Sequence, residues 1–419
     1  MVKPGYKQTE IGIIPVDWDV VSLNSLAVGG MQNGVFYEVD RKGSGVSFLN
    51  VGDLYGETPI RSSSLQKFNA TLSEIDRFRI NSGDLFFTRS SIVPSGIAYC
   101  NWYYGLDEEI TVFDSHVVRF KTDLSKVVPM YLYLQCITPS SRKYFIANSK
   151  TATMTTIDQA VLGECQIALP SMKEQEIIAQ TISDIDCLIT NLEKLLAKKK
   201  AIKQGAMQEL LTGKRRLPGF DGEWVELEIG KNGHLLRESI DPQTHPNVMF
   251  SEYSMPAFDD GQMAVKKYGA DMHSNRTVIY GPILLFNKLN VRQKRIWLVN
   301  ATEDNAVCSS EFLPYYSEAI DLRLLQQLLS TEKVTNDFIG MSTGTSNSQK
   351  RITPKNFLEY TIYVPEDIRE QAAIAEILAD MDKEIDQLQK SLNKYQLVKQ
   401  GMMSELLTGR IRLIDKEDA

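Results

Sequence analysis

Two loops of this chain concentrate hydroxyl, amide and basic side chains, the groups a protein uses to grip phosphates and read base edges. The first holds Asn148, Ser149, Lys150, Thr151, Ala152, Thr153, Met154, Thr155 and Thr156. The second, at residues 342–351, reads STGTSNSQKR and includes Thr345, Ser346, Ser348, Gln349, Lys350 and Arg351. Each is matched by an earlier cluster that follows an apolar, strand-like run. Thr88, Arg89, Ser90 and Ser91 come after LFF, and Lys288 and Asn290 come after LLF, with Arg292, Gln293, Lys294 and Arg295 close behind. A solvated loop accounts for any single one of these residues equally well. Their repetition at matched places is what points to DNA contact.

Signatures of catalysis are missing. No GxxxxGK[ST] loop cradles a phosphate and no Gly-rich turn closes a βα unit around a nucleotide. The [DNS]PP[YFW] tetrapeptide that holds a flipped adenine in amino-methyltransferases does not occur. The acidic clusters Asp221, Glu223, Glu226, Glu228 and Asp107, Glu108, Glu109 lack the carboxylate–x–Lys end of a nuclease metal site and read as solvated turns or strand edges. No nucleophile elbow is present. The four histidines are scattered and the five cysteines include no CxxC pair, so neither a metal centre nor a disulfide framework is expected. The chain is expected to be no enzyme by itself.

A net charge of −7 over 419 residues excludes an indiscriminate polyanion binder, yet basic residues gathered on one face remain compatible with specific DNA reading. No apolar run reaches the roughly 18 residues of a membrane span. The opening MVKPGYKQTEIG lacks a signal peptide's apolar core, so a cytoplasmic location is expected.

The elements that must position these loops are announced by a repeat. Residues 174–217 and 370–413 align without a gap, and about half of the positions are identical. In the first copy Ile178, Ile182, Ile185, Ile189, Leu192 and Leu196 keep a 4, 3, 4, 3, 4 spacing. In the second, Ile374, Leu378, Met381, Ile385, Leu388 and Leu392 keep the same rhythm. That is the seam of a coiled coil, and the shared register predicts two long helices packed on each other; if they run antiparallel, each module sits at an opposite end. A helix from about Lys173 to Leu211 would be roughly 60 Å long. Both helices are expected to end in LLTG, where Gly213 and Gly409 suit a left-handed cap. Lys198, Lys199 and Lys200 lie opposite the seam, on an expected solvated face.

The segments before each helix carry short β-like runs and short helical patches, so each is a mixed module. Landmarks recur in order: Trp18 with Trp224, LFFTRSS (85–91) with LLFNKLN (284–290), and TTIDQAVLGECQIALP (155–170) with KRITPKNFLEYTIYVP (350–365). An α+β chain of two divergent modules separated by two long helices is expected, cyclic in order and pseudo-twofold. The boundaries expected are 1–171 and 218–365 for the modules, 172–217 and 366–413 for the helical spacers, and 414–419 for a tail.

These motifs resemble the specificity subunits of type I restriction–modification systems. The resemblance spans nearly the whole chain and rests on the EQ…IA…LxxxDxxI opening, the KQGxMxELLTGxxRL close and the SGT-like loop at 342–351. The loop NSKTATMTTI departs from that last pattern. The resemblance implies two target-recognition domains, each reading one part of a split site on double-stranded DNA. It implies two docked modification subunits that carry S-adenosylmethionine and the adenine-N6 methyltransferase chemistry. Restriction subunits with ATP and Mg would add translocation and cleavage; no membrane is involved. From the residues alone, a stand-alone DNA-binding regulator without enzyme partners stays open, and it would bind its site tightly as an isolated chain.

Overall fold

A computed structural model describes residues 2–36, 38–105, 109–344 and 349–414. The chain is α+β and divides into two compact units. One comprises residues 1–192 with 391–419, the other residues 193–390. The long helices Met172–Leu210 and Ile368–Leu406 have 39 residues each, and each contributes one part to either unit.

In the first unit an antiparallel sheet runs in the order Gln32–Asn33, Val117–Phe120, Leu85–Thr88, Cys100–Trp102. All four residues of Leu85–Thr88 are buried, which explains the continuous apolar run LFF. Phe87, Phe120, Tyr131 from the helix Pro129–Cys136 and Phe145 from Pro139–Ala147 share one core with Trp18. Ile178 and Ile182 join that core from the start of the first long helix. Leu406 and Leu407 enter it from the end of the second. Lys399 meets Asp186 at 2.5 Å and Arg412 meets Glu174, so the two helical segments of this unit run antiparallel.

The second unit carries a five-stranded sheet built around Ala306–Ser309 and a four-stranded sheet around Ile283–Asn287. Leu324, Leu325 and Leu329 of the helix Leu322–Leu329 cover the latter. Here Ile374, Ala375 and Leu378 share a core with Leu210 and Leu211. Lys199 pairs with Glu384 at 2.6 Å and Lys203 with Asp382 at 2.5 Å, again antiparallel. Lys199 is therefore a cross-helix partner rather than part of a free basic face.

Of the seam positions, Ile178, Ile182, Ile185, Ile189, Leu196, Ile374, Leu378 and Leu392 are buried, while Leu192, Met381, Ile385 and Leu388 are half-buried. Gly213 and Gly409 close the helices with φ of 69° and 66°. A Cβ at Gly409 would stand 2.5 Å from Pro15, so both the left-handed turn and the close approach require glycine.

Candidate nucleic-acid interface

In the first unit the loop residues and the post-strand cluster meet in one small sheet. Ser90–Ser91 pairs antiparallel with Thr155–Thr156, which pairs with Lys150–Thr151. Segments some 60 residues apart in sequence thus share one surface. Arg89 leads into that sheet with an exposed side chain that makes no ion pair among the described residues. Thr153 lies exposed in the connecting bend.

Other expected contact residues are committed elsewhere. Thr88 is fully buried; its hydroxyl donates to the Gly96 carbonyl (2.9 Å) and accepts from the Tyr99 N–H (2.9 Å). Thr155 is also fully buried, its Oγ1 3.1 Å from that of Thr151. Both serve the frame instead of offering a surface. Ser149 donates to the Ile146 carbonyl at the end of a helix, and Lys150 pairs with Asp158 at 2.7 Å. The hydrogen bond between these last two raises the lysine pKa and lowers that of the carboxyl.

The second unit repeats the backbone frame. Arg89 accepts the N–H of Ile157 on its carbonyl (3.2 Å) and donates its own to His116 (3.2 Å). Lys288 does the same with Ile352 (3.0 Å) and Glu311 (3.0 Å). The basic residue therefore leaves the sheet at an equivalent point in both units. Asn290 sits in the left-handed region (φ 51°), with its N–H on the Lys350 carbonyl at 2.8 Å. Arg292 and Gln349 are exposed and Lys350 is half-buried.

Three basic residues expected to be free are internal partners. Arg295 makes a bidentate pair with Asp259 (2.8 and 2.7 Å), and that hydrogen bonding raises the pKa of the guanidinium. Arg351 forks onto Glu311 (3.2 and 3.1 Å), and Lys294 meets Glu332 at 2.5 Å. Thr345, Ser346 and Ser348 lie outside the described residues.

Among the described residues no group of three His, Cys, Asp or Glu side chains is placed to hold a metal ion, and no helix is long and apolar enough to cross a membrane.

Residues 15–204 match the family model for the type I restriction modification DNA specificity domain. Over 97% of its length the chain is 24% identical to the type I restriction enzyme MjaX specificity subunit of Methanocaldococcus jannaschii, covering 97% of that protein. It is 22% identical to that organism's MjaVIII specificity subunit, over 96% of this chain and 94% of the relative. Over nearly its whole length this chain is similar to type I specificity subunits. The crystal structure of the type I system S subunit from M. genitalium shares the fold, with a TM-score of 0.59 at 13% identity over 93% of this chain and 96% of that one.

The repeated EQ pair has a role that the apolar spacing does not disclose. Glu174 and Glu370 are almost wholly buried. Glu174 accepts from the Trp18 indole (3.0 Å) and from Arg412, which also forks onto Asp17 (3.0 and 2.8 Å). Glu370 accepts a bidentate pair from Arg216 (2.8 and 2.8 Å). Each glutamine ties two further elements. Gln175 accepts from the Val128 N–H (2.9 Å) and donates to the Pro170 carbonyl (3.0 Å). Gln371 does likewise with Asp321 (2.9 Å) and Pro365 (2.8 Å). The signal was available in the sequence: Glu174 and Glu370, and Arg216 and Arg412, hold identical places in the two copies of the repeat.

Proposed function

We propose that this chain reads a bipartite DNA site, one half-site per module, as the specificity subunit of a type I complex in which modification and restriction subunits supply the chemistry. The observation that carries this reading is the duplicated frame at Arg89 and Lys288. The same backbone geometry twice delivers a basic side chain beside a polar loop, while the sequence around it diverges. A duplicated frame with divergent surfaces suits two different half-sites, since sequence is read at base edges while phosphate contacts only position the protein. Among the basic residues, Arg89, Lys288, Arg292 and Lys350 are the candidates for DNA contact, with Thr153, Ser90, Ser91 and Asn290 beside them. Arg295, Arg351 and Lys294 hold the loops that present them. S-adenosylmethionine, ATP and Mg belong to the partner subunits in this reading, and the chain itself is not catalytic.

The test is a genome-wide map of methylated adenines in cells with and without this gene. The expected result is loss, on deletion, of one split motif with two defined parts and an unread gap. Methylation unchanged by the deletion, together with tight specific binding by the isolated chain, would instead mark a stand-alone regulator.

A further inference from the structure

Between the strands Leu85–Thr88 and Cys100–Trp102 the chain makes an excursion that is held unusually firmly at its base. Arg142, on the helix Pro139–Ala147, donates to three of its carbonyls: Ser95 (2.8 Å), Ile97 (2.7 Å) and Ala98 (2.7 Å). The buried Thr88 hydroxyl holds Gly96 and Tyr99 from the other side. A Cβ on Gly96 would stand 2.4 Å from Ser91 Oγ, so a larger residue there would have to displace the Ser91 side chain. Burial lowers the pKa of Arg142, and among the described residues no carboxylate pairs with it. A desolvated cation is thus devoted to shaping a loop.

The tip of that loop is apolar. Ile92 is 85% exposed and Val93 54% exposed. At the matching place in the second module Val291 is only 8% exposed, so the shared frame does not require this exposure. An exposed aliphatic group on a fixed loop gains free energy only when something covers it. Its surroundings favour an anionic cover rich in hydrogen-bonding groups, because the unpaired Arg89 and the Ser90–Ser91 edge stand beside it. In the major groove of DNA the apolar feature among the base edges is the thymine 5-methyl group.

We propose that Ile92 reads a thymine methyl in the half-site bound by the first module, with Arg142 as the positioning residue that fixes the tip. This rests on the DNA-reading function above. Isoleucine packs against the methyl while Arg89 beside it takes a phosphate or a base edge, which joins apolar and polar readout in one short segment.

The test uses the chain co-purified with its modification subunits and duplexes carrying its mapped site. Each thymine is replaced singly by uracil, which deletes only the methyl group. At one position in one half-site the replacement should weaken wild-type binding about fourfold, the value of one buried methyl group. Ile92→Ala should be indifferent to that replacement and respond normally in the other half-site. Arg142→Gln should lose the same discrimination, with Arg142→Lys retaining part of it. Uracil sensitivity that persists in Ile92→Ala, or no thymine in either half-site, overturns the proposal while a mapped split motif leaves the DNA-reading function standing. An Ile92→Ala chain that releases its modification subunits with DNA discrimination intact assigns the tip to a protein contact and also overturns it. Absence of any split motif overturns both.

Discussion

Basic residues in the two modules fall into two sets by what already neutralises them. Arg295, Arg351, Lys294 and Lys150 each have a carboxylate within hydrogen-bonding distance, so a phosphate would have to compete with it. Arg89 and Lys288 have none among the described residues. In salt titrations of specific binding, Arg89→Ala and Lys288→Ala should each lower affinity and flatten the dependence on salt by about one unit of slope. Arg295→Ala should leave that slope nearly unchanged. The sequence shows where cations cluster but not which are free, because Asp259, Glu332 and Glu311 approach from 36, 38 and 40 residues away. A second residue-scale effect concerns pH. The hydrogen bond from Arg41 holds the Glu74 carboxyl down at about 2. A depressed carboxyl contributes stability that is complete above its unfolded value near 4.5 and disappears as pH falls toward 2. The first unit of Glu74→Gln should therefore lose less stability than wild type between pH 5 and about 2.5, read by chemical denaturation.

At the scale of elements, each long helix begins with a buried glutamate seated under an arginine from a segment that follows the other helix's end. Removing one partner of a buried pair strands the other, so Arg412→Ala should destabilise its own unit by about 3 kcal/mol, and Arg216→Ala should destabilise the other unit by stranding Glu370. Denaturation followed unit by unit would check this, and a loss below about 0.5 kcal/mol would reduce the clasp to a surface ion pair. The helices were legible because a seam kept over 39 residues leaves a long periodic record. The strands that form the candidate interface were not. Ser90–Ser91 and Thr155–Thr156 have two residues each, too few to show alternation, and only the folded chain brings them side by side. Exposure of Ile92 was likewise invisible, since the sequence-matched Val291 is buried.

For the whole molecule, the long helices are the only elements among the described residues that contribute to both units, and under the proposed function their length would set the gap in the DNA site. Inserting one heptad at matched points in both helices keeps the seam in phase. The methylation map should then show a longer unread gap with both half-sites unchanged; altered half-sites around the old gap would refute this role for the helices. The division of the chain has a further consequence, in time. Residues 193–390 form one unit without interruption, whereas the other joins residues 1–192 to 391–419. On the ribosome, the module translated first must wait for Leu406, Leu407 and Arg412 before its core and its clasp can close, although the module translated second is complete by then. Nascent chains stalled on a C-terminal extension so that only residues up to about 395 have emerged from the ribosome should thus protect the second unit from protease while leaving the first open to cleavage. The module begun first is finished last.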